Sequence, residues 1–221
     1  MKIICIGKNY SEHAKEMKST VPSQPVIFMK PDTAILRERH DFYLPEFSKE
    51  IHHEVELVYK INRLGKNISE QFAHRYYDHV TVGIDFTARD LQAQLKEKGH
   101  PWEISKAFDH SAPVGRFIPL APPTPQRGDQ GEEPEFYLPP LGGGGTIHFH
   151  LDINGNMVQQ GSSHDMIFSI DKIIAYVSRF LTLCKGDLIF TGTPVGVGQV
   201  KAGDLLEAFI GEKKLLKVKV K

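Results

Sequence analysis

In the segment Ile51-His52-His53-Glu54-Val55-Glu56-Leu57-Val58-Tyr59, two acids stand two residues apart inside a β-branched and apolar run. Such a run folds as a strand, where residues i and i+2 share a face, so the two carboxylates project side by side. Like charges that close repel and raise each other's pKa unless a cation lies between them. A hard divalent ion meets that need, because Mg²⁺, Mn²⁺ and Ca²⁺ take carboxylate oxygens. A strand with one face in water fits the same pattern, since polar and apolar residues alternate in half-exposed strands.

The chain has 221 residues, long for one domain but within range for a β-rich one, and long enough to bury a substantial core. Lysine plus arginine and aspartate plus glutamate are balanced at 27 each, so no net field favours nucleic acid or an anionic membrane as partner. Cys5 and Cys184 lie far apart without metal-ligand spacing and read as thiols in a reducing compartment. The opening apolar run is short for a secretory signal and no stretch approaches membrane-spanning length, so a cytoplasmic protein is expected.

In chain order, Ile3 to Ile6 reads as a buried strand ending at Gly7. A short helix follows, with Asn9 as its cap and Glu12 three residues on. It sets His13 and Glu16 on one face, as an oriented general base or as a surface pair worth about 0.2–0.5 kcal/mol. Val26 to Lys30 is a strand between prolines, and Asn67 to Asp78 has helical spacing. The strand His79 to Ile84 delivers Asp85, either as a third metal ligand or, with Thr87, as cap of a helix Ala88 to Lys98. Lys106 sits among Ile104, Ala107 and Phe108, where its ammonium takes a fixed anionic partner or snorkels to water.

Residues 121–145 are rich in proline and glycine and read as a long surface insertion. Thr146 to Ile153 alternates and turns at Asn154-Gly155 into a hairpin; His148-Phe149-His150 reads as an exposed strand face rather than a metal site. Lys172 to Phe180 is an amphipathic helix with Ile173, Ile174, Val177 and Phe180 inward. Leu188 to Phe190 is a strand, and the glycine-rich turn from Thr191 to Gly198 lacks the lysine of a P-loop but offers amides to a small anion. Leu205 to Ile210 is another strand, and Lys213 to Lys221 is an edge strand guarded by lysines.

Taken together, Gly7-Lys8-Asn9-Tyr10 with His13 and Glu16, His53-Glu54-Val55-Glu56-Leu57, and Asp85-Phe86-Thr87-Ala88-Arg89-Asp90-Leu91-Gln92 resemble the fumarylacetoacetate hydrolase family. So do Pro101-Trp102 with Lys106, Met166-Ile167-Phe168-Ser169-Ile170, and Thr191-Gly192-Thr193-Pro194 with Gly196 and Gly198. The likeness spans nearly the whole chain and is nearest to the short, single-domain acylpyruvate hydrolases that also decarboxylate oxaloacetate. It implies an α+β, predominantly β fold, a mixed β-roll with a few short helices, forming one catalytic domain over residues 1–221 and a homodimer. It implies Glu54, Glu56 and Asp85 as ligands of Mg²⁺ or Mn²⁺, and His13, Glu16 and Lys106 as catalytic groups. Arg89, Gln92 and Thr193 are implied as holders of the substrate carboxylate. The expected reaction is carbon–carbon cleavage of acylpyruvates to pyruvate and a carboxylic acid, with oxaloacetate decarboxylation as a second exit. Two alternatives stand beside it: an isomerase or decarboxylase of 2-oxo-ene-dioates from aromatic degradation, and a non-catalytic module that binds a divalent ion or small acid.

Overall fold

β-branched and apolar runs broken by glycine and proline favour strands over much of this chain, and the computed structural model arranges them in four sheets. It describes residues 1–11, 21–37, 39–120 and 145–221. The largest sheet has six strands in the order Val26–Lys30, Ile3–Gly7, Leu188–Phe190, Val55–Ile61, Tyr77–Ile84 and Ile118–Pro119. Only the pairing of Ile3–Gly7 with Leu188–Phe190 is parallel there. A four-stranded antiparallel meander joins Asn156–Ser162, His148–Ile153, Leu205–Ile210 and Lys213–Lys219. A small three-stranded sheet sets Ile51–His53 between Gly198–Gln199 and Thr87–Ala88. The fold is thus α+β and mainly β, with few helices.

The acidic run is not one uninterrupted strand. Its first part, Ile51–His53, pairs with Thr87–Ala88 in the small sheet, while Val55–Ile61 pairs with Tyr77–Ile84 in the large one. Glu54 falls at the crossing between sheets, and Asp85 falls at the matching crossing of the neighbouring strands, its amide donating to the Glu54 carbonyl at 2.8 Å. The corner therefore holds both acids, and it is enclosed: Glu54 is 6% exposed, Glu56 2% and Asp85 0%. That excludes the half-exposed strand.

Other elements follow their local chemistry. Asn154 and Gly155 both adopt positive φ, 53° and 80°, as a two-residue hairpin turn requires. Ser169 accepts from the Lys172 amide at 3.3 Å and caps the helix Ile170–Val177, with Ile173, Ile174 and Val177 buried. Phe180, expected inward, is 57% exposed, because the helix ends at Val177 and the ring stacks edge-on against Tyr176 instead. The segment expected as a helix over residues 67–78 is a 3-10 turn, Glu70–Tyr76; Tyr77 has already joined the strand ladder opposite Ile61. The Asn9 side chain donates to the carbonyls of Phe168 and Thr191 and accepts from the Phe168 amide, while the helix it was expected to cap lies, but for Ser11, outside the described residues. Lys213–Lys219 lies at a sheet edge, as expected. The stretch read as a surface insertion lies outside the described residues but for its final Gly145. Among the described residues no helix is long and apolar enough to cross a membrane.

Candidate active site

At the corner between sheets, Glu54, Glu56 and Asp85 each bring one carboxylate oxygen to within 4.8 Å of the others. Three acids in so dry a space need positive charge, and two lysines and an arginine supply it. The short helix Glu103–Lys106 carries Lys106, whose Nζ donates to Glu54 Oε2 at 2.8 Å, Asp85 Oδ2 at 2.7 Å and Thr87 Oγ1 at 2.6 Å. Burial works against its charge, but Asp85 and Glu54 outweigh that and leave its pKa above the usual lysine value. Lys106 therefore does not snorkel to water but has fixed anionic partners. Arg89 opens the helix Arg89–Lys98 and places its guanidinium on Glu54 and, at 2.6 Å, on Gln92 Oε1.

Lys30, at the end of the strand Val26–Lys30, is the residue that pattern reading passed over. It is fully buried and its Nζ lies 2.8 Å from Asp85 Oδ1. Its hydrogens are directed to Ser111 Oγ and to the carbonyls of Lys106 and Ser111, so Asp85 Oδ1 itself receives no hydrogen bond. The signal was present in the sequence, a lysine closing an apolar strand, yet strand-end lysines commonly reach water.

Glu56 accepts the Gly192 amide at 2.7 Å. That glycine holds φ at 94°, and a Cβ there would meet the Asn9 Cβ at 2.8 Å. The glycine-rich turn thus does serve an anion, and the anion is Glu56. Burial first, then the charges of Asp85 and Glu54, push the Glu56 carboxyl well above the usual range. Thr193 lines the same cavity, but its hydroxyl donates to Val55 O at 2.8 Å and accepts from Gln159 Nε2 at 3.0 Å, so its one hydrogen is committed to the protein. Buried Gln159 also meets His53 Nδ1 and the Val55 amide, tying the acidic strand to the glycine turn; nothing in its polar hairpin marked it.

The structure brings Glu54, Glu56, Asp85, Arg89, Gln92, Lys106 and Thr193 into one place. His13 and Glu16 lie outside the described residues. The all-oxygen donor set, the unbonded Asp85 Oδ1 and the raised pKa of Glu56 together fit a hard divalent cation. A cavity of about 150 Å³ opens in front of the corner, with Phe28 and Trp102 as its apolar walls.

Comparison with known proteins agrees in extent and in fold. Residues 2–221 match the family model described as fumarylacetoacetate (FAA) hydrolase C-terminal. Oxaloacetate tautomerase FAHD1, mitochondrial, of Mus musculus is 40% identical over 219 residues, 99% of this chain and 91% of that protein. Oxaloacetate tautomerase YcgM of Escherichia coli is 40% identical over 205 residues, 93% of this chain and 86% of that one. Fumarylpyruvate hydrolase from Pseudomonas aeruginosa, solved in complex with Mn²⁺ and pyruvate, superimposes with a TM-score of 0.84 at 33% identity, covering 100% of this chain and 89% of that chain. Matched over nearly its whole length in sequence and in backbone, the chain belongs to the fumarylacetoacetate hydrolase family, whose members are enzymes.

Proposed function

We propose that this chain is a divalent-metal-dependent enzyme of 2-oxo acids that works by stabilising the enol or enolate form of its substrate. Cleavage of acylpyruvates to pyruvate and a carboxylic acid, and conversion of oxaloacetate, are two uses of that one capacity. The observation that carries the reading is the buried corner in which Glu54, Glu56 and Asp85 converge under Lys106 and Arg89. The names of the relatives, two oxaloacetate tautomerases and a fumarylpyruvate hydrolase, support the same substrate class.

Glu54, Glu56 and Asp85 would hold Mg²⁺ or Mn²⁺, which when bound supplies Lewis acidity toward a developing negative charge on oxygen. Lys106, with all three hydrogens given to Glu54, Asp85 and Thr87, contributes a fixed positive charge rather than a mobile proton. Arg89 bonds Glu54 and Gln92 and has further N–H groups for a substrate carboxylate at the cavity wall. Gln92, buried beside it, fixes the plane of that guanidinium. Thr193 and Gln159 hold the glycine turn against the acidic strand, and with it the amide that orients Glu56. His13, oriented by Glu16, is the proposed base: it takes a proton from water attacking the distal carbonyl of an acylpyruvate, or from the carbon next to the 2-oxo group. Phe28 and Trp102 limit water in the cavity.

Mn²⁺- or Mg²⁺-dependent turnover of acetylpyruvate, fumarylpyruvate or oxaloacetate, lost on chelation, is the expected result, with product analysis separating cleavage, decarboxylation and tautomerisation. Glu56→Ala is expected to abolish metal binding and turnover together. His13→Ala is expected to lose hydrolysis by about a hundredfold or more, in line with general base catalysis. Metal binding without turnover of any of the three acids would make the chain a binding module.

A further inference from the structure

With all three carboxylates ionised, as a bound cation favours, the corner's own charges balance. Glu54, Glu56 and Asp85 are matched in number by Lys30, Lys106 and Arg89, which pair with Glu54 and Asp85 while Glu56 stands beside them in the acidic cluster. A divalent cation would add two positive charges, and a 2-oxo monocarboxylate returns only one negative charge. An uncompensated charge in a partly buried cavity is costly. The cavity nevertheless carries two more cations on its wall, Lys8 and Lys96. Neither makes an ion pair among the described residues.

Both are placed by the fold. Lys96 follows Arg89 by seven residues on the helix Arg89–Lys98, which returns it to the same face. Its Nζ lies 5.3 Å from the centre of the Trp102 ring, itself a wall of the cavity. Lys8 occupies the left-handed region at φ 60°, a conformation uncommon for a residue with a side chain and concentrated at functional positions. It is locked between the strand Ile3–Gly7 and Asn9, whose side chain is bonded to Phe168 and Thr191.

We propose that Lys96, assisted by Lys8, is the specificity-determining group that holds a second carboxylate and so selects 2-oxo dicarboxylic acids over 2-oxo monocarboxylic acids. The inference rests on the reading of this cavity as a 2-oxo acid site and adds which of those acids it prefers. A volume of about 150 Å³ suits a small diacid. Burial, and then the positive charge of Arg89, bring Lys96 down to about 8, the environment of an ammonium that gains from an incoming anion.

The test is the ratio of kcat/KM for fumarylpyruvate to that for acetylpyruvate, with Mn²⁺ present, in the native chain, Lys96→Met and Lys96→Arg. Lys96→Met is expected to lower that ratio by about tenfold, the scale of one charge-assisted hydrogen bond, and Lys96→Arg to restore most of it. A ratio unchanged in Lys96→Met overturns the proposal. Calorimetric affinities for pyruvate and 2-oxoglutarate provide the arm that needs no turnover: the diacid's advantage is expected to disappear in Lys96→Met. If no acid is turned over but that advantage is lost, the reaction assigned to the site fails while the subsite stands; if the advantage survives, the subsite fails whatever the activity.

Discussion

A lysine enclosed by protein is tolerated only when acceptors and an opposite charge surround it, and Lys30 has Ser111, two carbonyls and Asp85. Lys30→Met therefore leaves Asp85 with one cation fewer at no gain in shape, and is expected to cost about 3–5 kcal/mol in urea unfolding. The double variant Lys30→Met/Asp85→Asn is expected to recover much of that loss, whereas simple additivity would show that the pair is not its origin. Glu56 has the opposite character, because burial and two neighbouring carboxylates disfavour its charge. Metal-free Glu56→Gln is expected to melt no earlier than the native chain. Mn²⁺ at a hundredfold excess over its Kd is expected to stabilise the native chain by about 2.7 kcal/mol and Glu56→Gln far less, read as the shift in thermal melts.

At the scale of elements, the site depends on one turn and one clasp. Gly192 lies under Asn9 and Ile6, with a left-handed φ and no room for a Cβ. Gly192→Ala is expected to destabilise by about 2 kcal/mol or more and to weaken Mn²⁺ binding, since the amide held by Glu56 must move. Ser169→Ala, which removes only a helix cap remote from the acids, is expected to cost about 1 kcal/mol in stability with Mn²⁺ affinity retained. Local chemistry made some features readable: an amphipathic run after Asp171, an asparagine–glycine pair between alternating strands. It gave no sign that Asn9, a residue suited to capping, also makes a buried clasp to Phe168. It misled over residues 67–78, where helical spacing yielded to a ladder that begins at Tyr77.

Across the whole molecule, the cavity is the meeting of a large sheet, a small sheet and the helix Arg89–Lys98, and Lys8, Arg89, Lys96 and Lys106 line it against Glu54 and Glu56. Lys96 binds an anion only as the ammonium, and a pKa lowered to about 8 moves the loss of that charge into an accessible range. The preference for diacids is therefore expected to be full below about pH 7 and to fall as pH rises through about 8. Arg89, Lys106 and Lys8 crowd it with positive charge and Glu54 opposes them, so removing its neighbour in Lys8→Met is expected to shift that fall to higher pH. The pH profile of the fumarylpyruvate to acetylpyruvate ratio checks both.

Most of the strands, the acidic pair, the strand-end aspartate and the turn residues follow from the chain alone, because each depends on neighbours a few positions away. The sequence also determined that acids at 54, 56 and 85 needed either water or a cation. Only the tertiary structure decided between them. It folded the crossing points at Glu54 and Asp85 against each other, sealed them from solvent, and drew Lys30, Gln159 and Lys96 to the same corner. Those three came from separate strands and a helix whose local patterns carry no sign of one another, and what brings them together is the meeting of the sheets around the buried acids.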